Sequence, residues 1–132
     1  MAEELVDRLF EAAESARARS YSPYSGFAVG AAVLTDTDEI VPGTNVENAS
    51  YGATICAERA AVLGAISQGA GKPVAVAIVS DAESPAWPCG QCLQVLVEFG
   101  RDLPVYTRGK NGVVESVRVD ELVTRPFDEV PG

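Results

Sequence analysis

Apolar residues recur at helical spacing near the start of the chain and then change period. In EELVDRLFEAAESARAR, Leu5, Leu9, Ala12, Ala13 and Ala16 fall three or four apart, so residues 3–19 read as an amphipathic helix, and Pro23 stops the pattern. FAVGAAVLT, residues 27–35, is an apolar run of strand length, and TDTDE after it reads as a turn. EIVPGTNVE, residues 39–47, reads as a second strand. Pro42 and Gly43 interrupt it, which predicts a bulge or a sheet edge. CAERAAVLGAISQ, residues 56–68, is rich in helix formers and ends at Gly-Ala-Gly. PVAVAIVS, residues 73–80, is almost uniformly apolar, as a central strand covered on both faces requires. CGQCLQVLVEFG, residues 89–100, reads as a helix closed by Gly100. PVYTR (104–108) and VVESVRV (113–119) read as strands joined by a turn at Gly109, Asn111 and Gly112, and DELVTRPF (120–127) as a short terminal turn. The order α-β-β-α-β-α-β-β predicts an α/β fold. It is a three-layer α-β-α sandwich around a mixed sheet of about five strands, with helices on both faces. No repeat, low-complexity segment or linker divides the chain, so residues 1–132 are expected to form one domain.

Charge narrows the class of partner. The net charge is −9, with no basic patch along the chain. Such a chain repels a phosphate backbone, which argues against a nucleic-acid polymer but not against a small uncharged nucleoside. MAEELVDRLF begins acidic and has no long apolar stretch, so neither a signal peptide nor a membrane span is expected. A cytoplasmic location follows as the expectation. Thiols stay reduced there, and cysteines in such a chain point to a metal or a reactive thiol before a disulfide.

The chain has three cysteines, Cys56, Cys89 and Cys92, and no histidine. Cys89 and Cys92 form a C-x-x-C pair, and both cysteine blocks fall where a helix is expected to begin. A helix N-terminus carries partial positive charge and free N–H groups, which favour the thiolates that a metal needs. Three thiolates on Zn²⁺ leave one tetrahedral position open. A catalytic zinc keeps that position for water, whereas a structural zinc fills it with a protein ligand. Glu58, two residues after Cys56, is placed either to exchange protons with such a water or to fill the position itself. Three thiolates leave the ion with a net charge of about −1 by formal counting, which weakens its pull on water. Two helix N-termini and Arg59 would offset that charge. A C-x-x-C pair also occurs in thioredoxin-like redox sites, but that reading leaves Cys56 and Glu58 without a role. Taken singly, Glu58 would be a helix N-terminal charge and Arg59 a surface residue. The conjunction carries the signal.

Cys-Ala-Glu at 56–58 and Pro-Cys-x-x-Cys at 88–92 together resemble the zinc deaminase signature. YSPYSGFAVGAAV, GTNVENASYG, CAERAAV, PCGQCLQV and the terminal RPF extend the likeness over almost the whole chain. Within that superfamily they are similar to the small homotetrameric cytidine deaminases. The resemblance implies one zinc per subunit on Cys56, Cys89 and Cys92, with Glu58 as the proton shuttle. It implies that Asn45 and Glu47 hydrogen-bond the ribose 3′-hydroxyl and that Phe27 packs on the pyrimidine. The backbone of Ala57 would meet the pyrimidine carbonyl, and the Pro88 carbonyl would accept from the departing amine. Ala49, Tyr51 and Phe127 match positions that reach into a neighbouring subunit's site, so a homotetramer would complete its active sites. Without the resemblance, NVEN reads as a turn with a solvated acid, Phe27 and Tyr51 as core, and Phe127 as a C-terminal anchor. An amide plus a carboxylate does suit a hydroxyl, which both donates and accepts.

The chain departs from many relatives at Leu93, where they carry Arg directly after the second cysteine of the motif. If that Arg helps neutralise the thiolates, Arg59 carries more of the load here. The implied reaction is hydrolytic deamination of cytidine and 2′-deoxycytidine to uridine and 2′-deoxyuridine, as in pyrimidine salvage. The alternatives are a deaminase of another cytosine nucleoside such as a nucleoside antibiotic, an enzyme that edits RNA or DNA, and a non-catalytic zinc-stabilised interaction module.

Overall fold

The computed structural model describes residues 1–131. Its elements run α1 (Glu3–Arg17), β1 (Val29–Thr35), β2 (Ile40–Thr44), a 3-10 turn (Tyr51–Ala53), α2 (Ala57–Ser67), β3 (Pro73–Ser80), α3 (Gly90–Val97), β4 (Pro104–Arg108), β5 (Val114–Arg118) and α4 (Val119–Leu122). The strands form one sheet in the order β2-β1-β3-β4-β5. The β3–β4 pair is parallel, joined by the crossover through α3, and the other pairs are antiparallel, so the sheet is mixed as expected.

Strand alternation sorts the apolar residues into two cores. Ala75, Ala77 and Val79 of β3 face α1, where Leu9, Phe10 and Ala13 cover them. Val76 and Ile78 face the other way, onto Ala61, Val62 and Ala65 of α2 and Leu96 of α3. A strand buried on both faces must be apolar at every position, which is why PVAVAIVS shows no period. Pro42 lies in β2, an edge strand, where a missing N–H breaks no ladder on its open side. The β1–β2 register runs without a bulge. Gly43 is there for a different reason: a Cβ would sit 2.4 Å from the Ala61 nitrogen and 2.6 Å from the Ala57 oxygen. Its missing side chain lets the first turns of α2 close onto the sheet edge, and that packing fixes where Cys56 and Glu58 lie.

Several elements are shorter than the sequence pattern suggests: β1 begins at Val29, β2 ends at Thr44 and α3 ends at Val97. α1 ends at Arg17 rather than residue 19, because the chain must straighten to pair with residues 45–47. The Tyr21 N–H donates to the Asn45 carbonyl at 3.1 Å, and the Glu47 N–H donates to the Tyr21 carbonyl at 2.8 Å. Val46 bridges Tyr21 on one side and Ile55 on the other, so NVEN leaves the sheet and enters its own small ladder beside the start of α2. The start of the segment expected as a terminal turn closes into α4. There the Glu121 carboxylate accepts the Arg118 N–H at 3.0 Å, an N-terminal capping bond.

Candidate active site

Cys56 is the N-cap of α2 and Cys89 the N-cap of α3, and Cys92 follows in the first turn of α3. The helices thus bring two stretches of chain to one point, and the three sulfurs lie within 4.8 Å of one another. The Cys56 and Cys89 Sγ atoms are 3.8 Å apart and unbonded. That spacing matches the edge of a tetrahedron with metal–sulfur bonds of about 2.3 Å, the length zinc requires, so the donor set fits the ion.

The thiols do not share charge equally. A hydrogen bond from Cys92 lowers the Cys56 pKa to about 5, and bonds from Arg59 and Cys89 assist. Donating that bond to Cys56 pushes the Cys92 thiol up, and burial adds to the rise. Arg59 Nη2 lies 3.3 Å from Cys56 Sγ and 3.4 Å from the Thr54 carbonyl oxygen. Its Nε is buried without a hydrogen-bond partner. Taken singly Arg59 would be a surface residue; beside Cys56 and Glu58 it was expected to offset the thiolate charge, and the fold does turn its guanidinium onto Cys56.

Glu58 projects from the same first turn of α2 and is only 6% exposed. Burial, helped by the neighbouring Cys56 thiolate, raises its pKa to about 7 against the lowering pull of its own backbone N–H and of Arg59. A carboxyl poised near neutrality can both accept and return a proton.

Glu58 opens onto a cleft of about 320 Å³, whose lining also includes Phe27, Asn45, Glu47, Cys56, Ala57 and Cys89. Residues far apart in sequence therefore share one cleft. Pro88 is buried beside it, between the lining residues Trp87 and Cys89. Trp87, Ser25 and Thr54 also line the cleft, and the sequence reading had not singled them out. The nearest signal was position: Trp87 immediately precedes the PCGQC block, and Ser25 lies within YSGF. A larger apolar groove of about 710 Å³ runs between α2 and α3, past Leu63, Ile66, Val95 and Phe99, away from the thiols.

Hydrogen-bond capacity specifies what Asn45 and Glu47 have left to offer. Asn45 Oδ1 accepts from the Ser20 hydroxyl at 2.5 Å and the Val29 N–H at 3.0 Å, and Nδ2 donates to the Phe27 carbonyl at 2.8 Å. One amide N–H remains. Glu47 Oε1 accepts the Tyr24 N–H at 2.9 Å and the Ser25 N–H at 3.1 Å, and Oε2 accepts the Ser25 hydroxyl. The hydroxyl is the largest influence holding Glu47 below the usual carboxylate range. An acceptor site remains on Oε2. The pair can therefore still give one hydrogen bond and take another, as a single hydroxyl needs.

Ala49, Tyr51 and Phe127 lie outside the cleft lining. Tyr51 is 75% exposed and borders an adjoining groove with Tyr24, Ser25 and Glu47. Phe127 is 64% exposed, although Gln94 holds its carbonyl at 2.6 Å and Arg101 grips Asp128 with two bonds of 2.7 and 2.9 Å. Neither ring belongs to the core of the chain.

The sequence model of the cytidine and deoxycytidylate deaminase zinc-binding region matches residues 3–107. The chain belongs to that deaminase family. It is 41% identical over 125 residues to a cytidine deaminase of Sporosarcina psychrophila, covering 94% of this chain and 92% of the relative. It is 52% identical over 88 residues to a cytidine deaminase of Mycobacterium tuberculosis, covering 67% and 66% of the two chains. Its fold matches the crystal structure of the Burkholderia pseudomallei cytidine deaminase with a TM-score of 0.87 at 40% identity, over 96% of this chain and 100% of that one. The family is zinc-binding, and the thiol cluster of this deaminase is a site able to hold the ion. Among its described residues no helix is long and apolar enough to cross a membrane.

The position of Arg59 in this deaminase yields a first expectation. Arg59→Ala or Arg59→Gln removes the cation that faces the Cys56 thiolate, so zinc dissociates more readily and turnover falls by roughly tenfold. Metal content and initial rate of the purified variants check it. Wild-type values in both would leave Arg59 a packing residue.

Proposed function

We propose that this deaminase converts cytidine and 2′-deoxycytidine to uridine and 2′-deoxyuridine, consuming water and releasing ammonia, in cytoplasmic pyrimidine salvage. It would act as one domain per subunit in a homotetramer. The observation that carries the reading is the convergence in one cleft of a buried Glu58, the thiols and the pair Asn45 and Glu47. Cys56, Cys89 and Cys92 would hold zinc, which when bound supplies an acidified water. Glu58 takes a proton from the water that adds to C4 and gives it to N3. It then moves a second proton to the amino group, which leaves as ammonia. Phe27 packs against the base. Asn45 donates its free N–H to the 3′-hydroxyl, and Glu47 accepts that hydroxyl's proton as a hydrogen bond. The Ala57 N–H is the donor assigned to the pyrimidine carbonyl, and the Pro88 carbonyl is the acceptor assigned to the departing amine. The exposed rings of Tyr51 and Phe127, with Ala49, are assigned to a neighbouring subunit's site.

The direct test is the fall in ultraviolet absorbance when zinc-loaded protein meets cytidine, with uridine identified as product. No turnover by folded, metal-bound protein would move the assignment to another cytosine nucleoside. The ribose assignment has its own test. Removing the 3′-hydroxyl leaves the Asn45 N–H and Glu47 facing an unfilled space, so kcat/KM for 3′-deoxycytidine is expected to drop roughly 10²-fold or more. Equal kcat/KM for the two nucleosides would remove Asn45 and Glu47 from the site. The net charge of −9 disfavours a nucleic-acid strand as substrate, and tight binding of a labelled single strand at physiological salt would reverse that.

A further inference from the structure

The loop ahead of β1 is wrapped around Glu47. Tyr24 and Ser25 present consecutive N–H groups to one carboxylate oxygen, and the Ser25 hydroxyl reaches the other. Gly26, at φ 67°, makes the left-handed turn that brings the chain back, with open space around it. The Phe27 N–H then donates to Ser25 Oγ at 3.0 Å. That last bond matters because a hydroxyl normally rotates to suit its surroundings. With the Phe27 N–H occupying one lone pair of Oγ, the hydroxyl hydrogen is directed away from it, toward Glu47. The rotor is set by the backbone of the residue whose ring packs on the base.

We infer that Ser25 is a positioning residue for recognition of the sugar. Its hydroxyl, oriented by the Phe27 N–H, occupies one acceptor site of Glu47 Oε2 and aims the remaining one at the nucleoside 3′-hydroxyl. This rests on the ribose role proposed above for Glu47. Ser25 is exposed in the free protein and lines both the catalytic cleft and the adjoining groove. Water competes for its bonds until a nucleoside covers the cleft, so the hydroxyl matters most in the bound state. A serine that merely tidied the loop would affect every substrate alike. A serine that aims Glu47 affects only substrates with a 3′-hydroxyl.

The experiment measures kcat and KM for cytidine and 3′-deoxycytidine with zinc-loaded wild type, Ser25→Ala and Ser25→Thr. Ser25→Ala is expected to lose roughly tenfold in kcat/KM on cytidine, mainly through KM, and little on 3′-deoxycytidine. The preference for the 3′-hydroxyl then shrinks by that factor, and Ser25→Thr, which keeps the hydroxyl, restores most of it. An equal loss on both nucleosides, or an unchanged preference, overturns the inference while leaving Glu47 in its role. A wild type with no preference for the 3′-hydroxyl overturns the Glu47 reading and this inference with it. A cycle with Glu47→Gln provides a second measure: once the carboxylate is gone, Ser25→Ala should cost cytidine turnover nothing further, and additive losses count against the coupling.

Discussion

Glu58→Gln is expected to lower kcat about 10²–10⁴-fold while the protein keeps its zinc. Glutamine has nearly the same shape and can fill the same space at the start of α2, but it cannot take a proton from water and return it. The three thiols form the cluster without Glu58, so metal content should not change. Zinc analysis and steady-state rates on the same preparation decide the matter. Near-normal turnover would remove Glu58 from the proton path. Loss of zinc would make Glu58 a fourth ligand and close the site.

The same substitution carries a pH signature in the metal-free protein. Burial raises the Glu58 pKa from 4.5 to about 7, so the folded state favours the protonated carboxyl. The stability associated with that proton is fully present below 4.5 and is lost as pH rises through about 7. That rise corresponds to about 3 kcal/mol at full expression. Metal-free wild type should therefore weaken over this window relative to metal-free Glu58→Gln, which has no carboxyl to ionise. Urea midpoints at pH 5 and pH 8 measure the difference, and parallel midpoints for the two proteins would show that Glu58 is solvated.

Stripping the zinc is expected to reduce turnover more than about 10²-fold and leave the protein folded at a lower thermal midpoint. The two cores account for the survival of the fold. Leu9 and Phe10 against one face of the sheet, and Val62, Ile78 and Leu96 against the other, are buried by carbon packing that needs no metal. Cys56 and Cys89 sit at helix N-caps, and only Cys92 of the three is fully enclosed. Circular dichroism of the stripped protein tests the fold, and activity regained with added zinc tests the site. Unfolding on chelation, with no turnover before or after, would instead describe a structural zinc module.

Much of the architecture was legible because hydrophobic period reports which faces a segment can bury. PVAVAIVS has the same bounds as β3, and PVYTR the same as β4. The end of α1 was less legible, because pairing of Tyr21 with residues 45–47 set it, and no local pattern announces a partner that distant. The thiols and Glu58 were legible as a set because their chemistry is written in short spacings. The pairing of Arg59 with the thiolates was legible in the same way, from its place beside Cys56 and Glu58. Its half-burial, with Nε enclosed and unpartnered, was not, because only the packing around the two helix starts shields it.

The sequence by itself determined the elements, the acidic charge, the donor atoms for a metal and the likeness to a deaminase family. These depend on residue type and near spacing, and they are complete once the chain is written. Tertiary structure decided how close the sulfurs stand, how far burial lifts Glu58 and which hydrogen bonds of Asn45 and Glu47 remain free. It also decided that the rings of Tyr51 and Phe127 face outward. Those properties depend on distance and on exclusion of water, and both arise only when segments far apart in the chain pack together. Gly43 ties the two levels: one missing side chain in an edge strand lets α2 settle where Cys56 can meet Cys89.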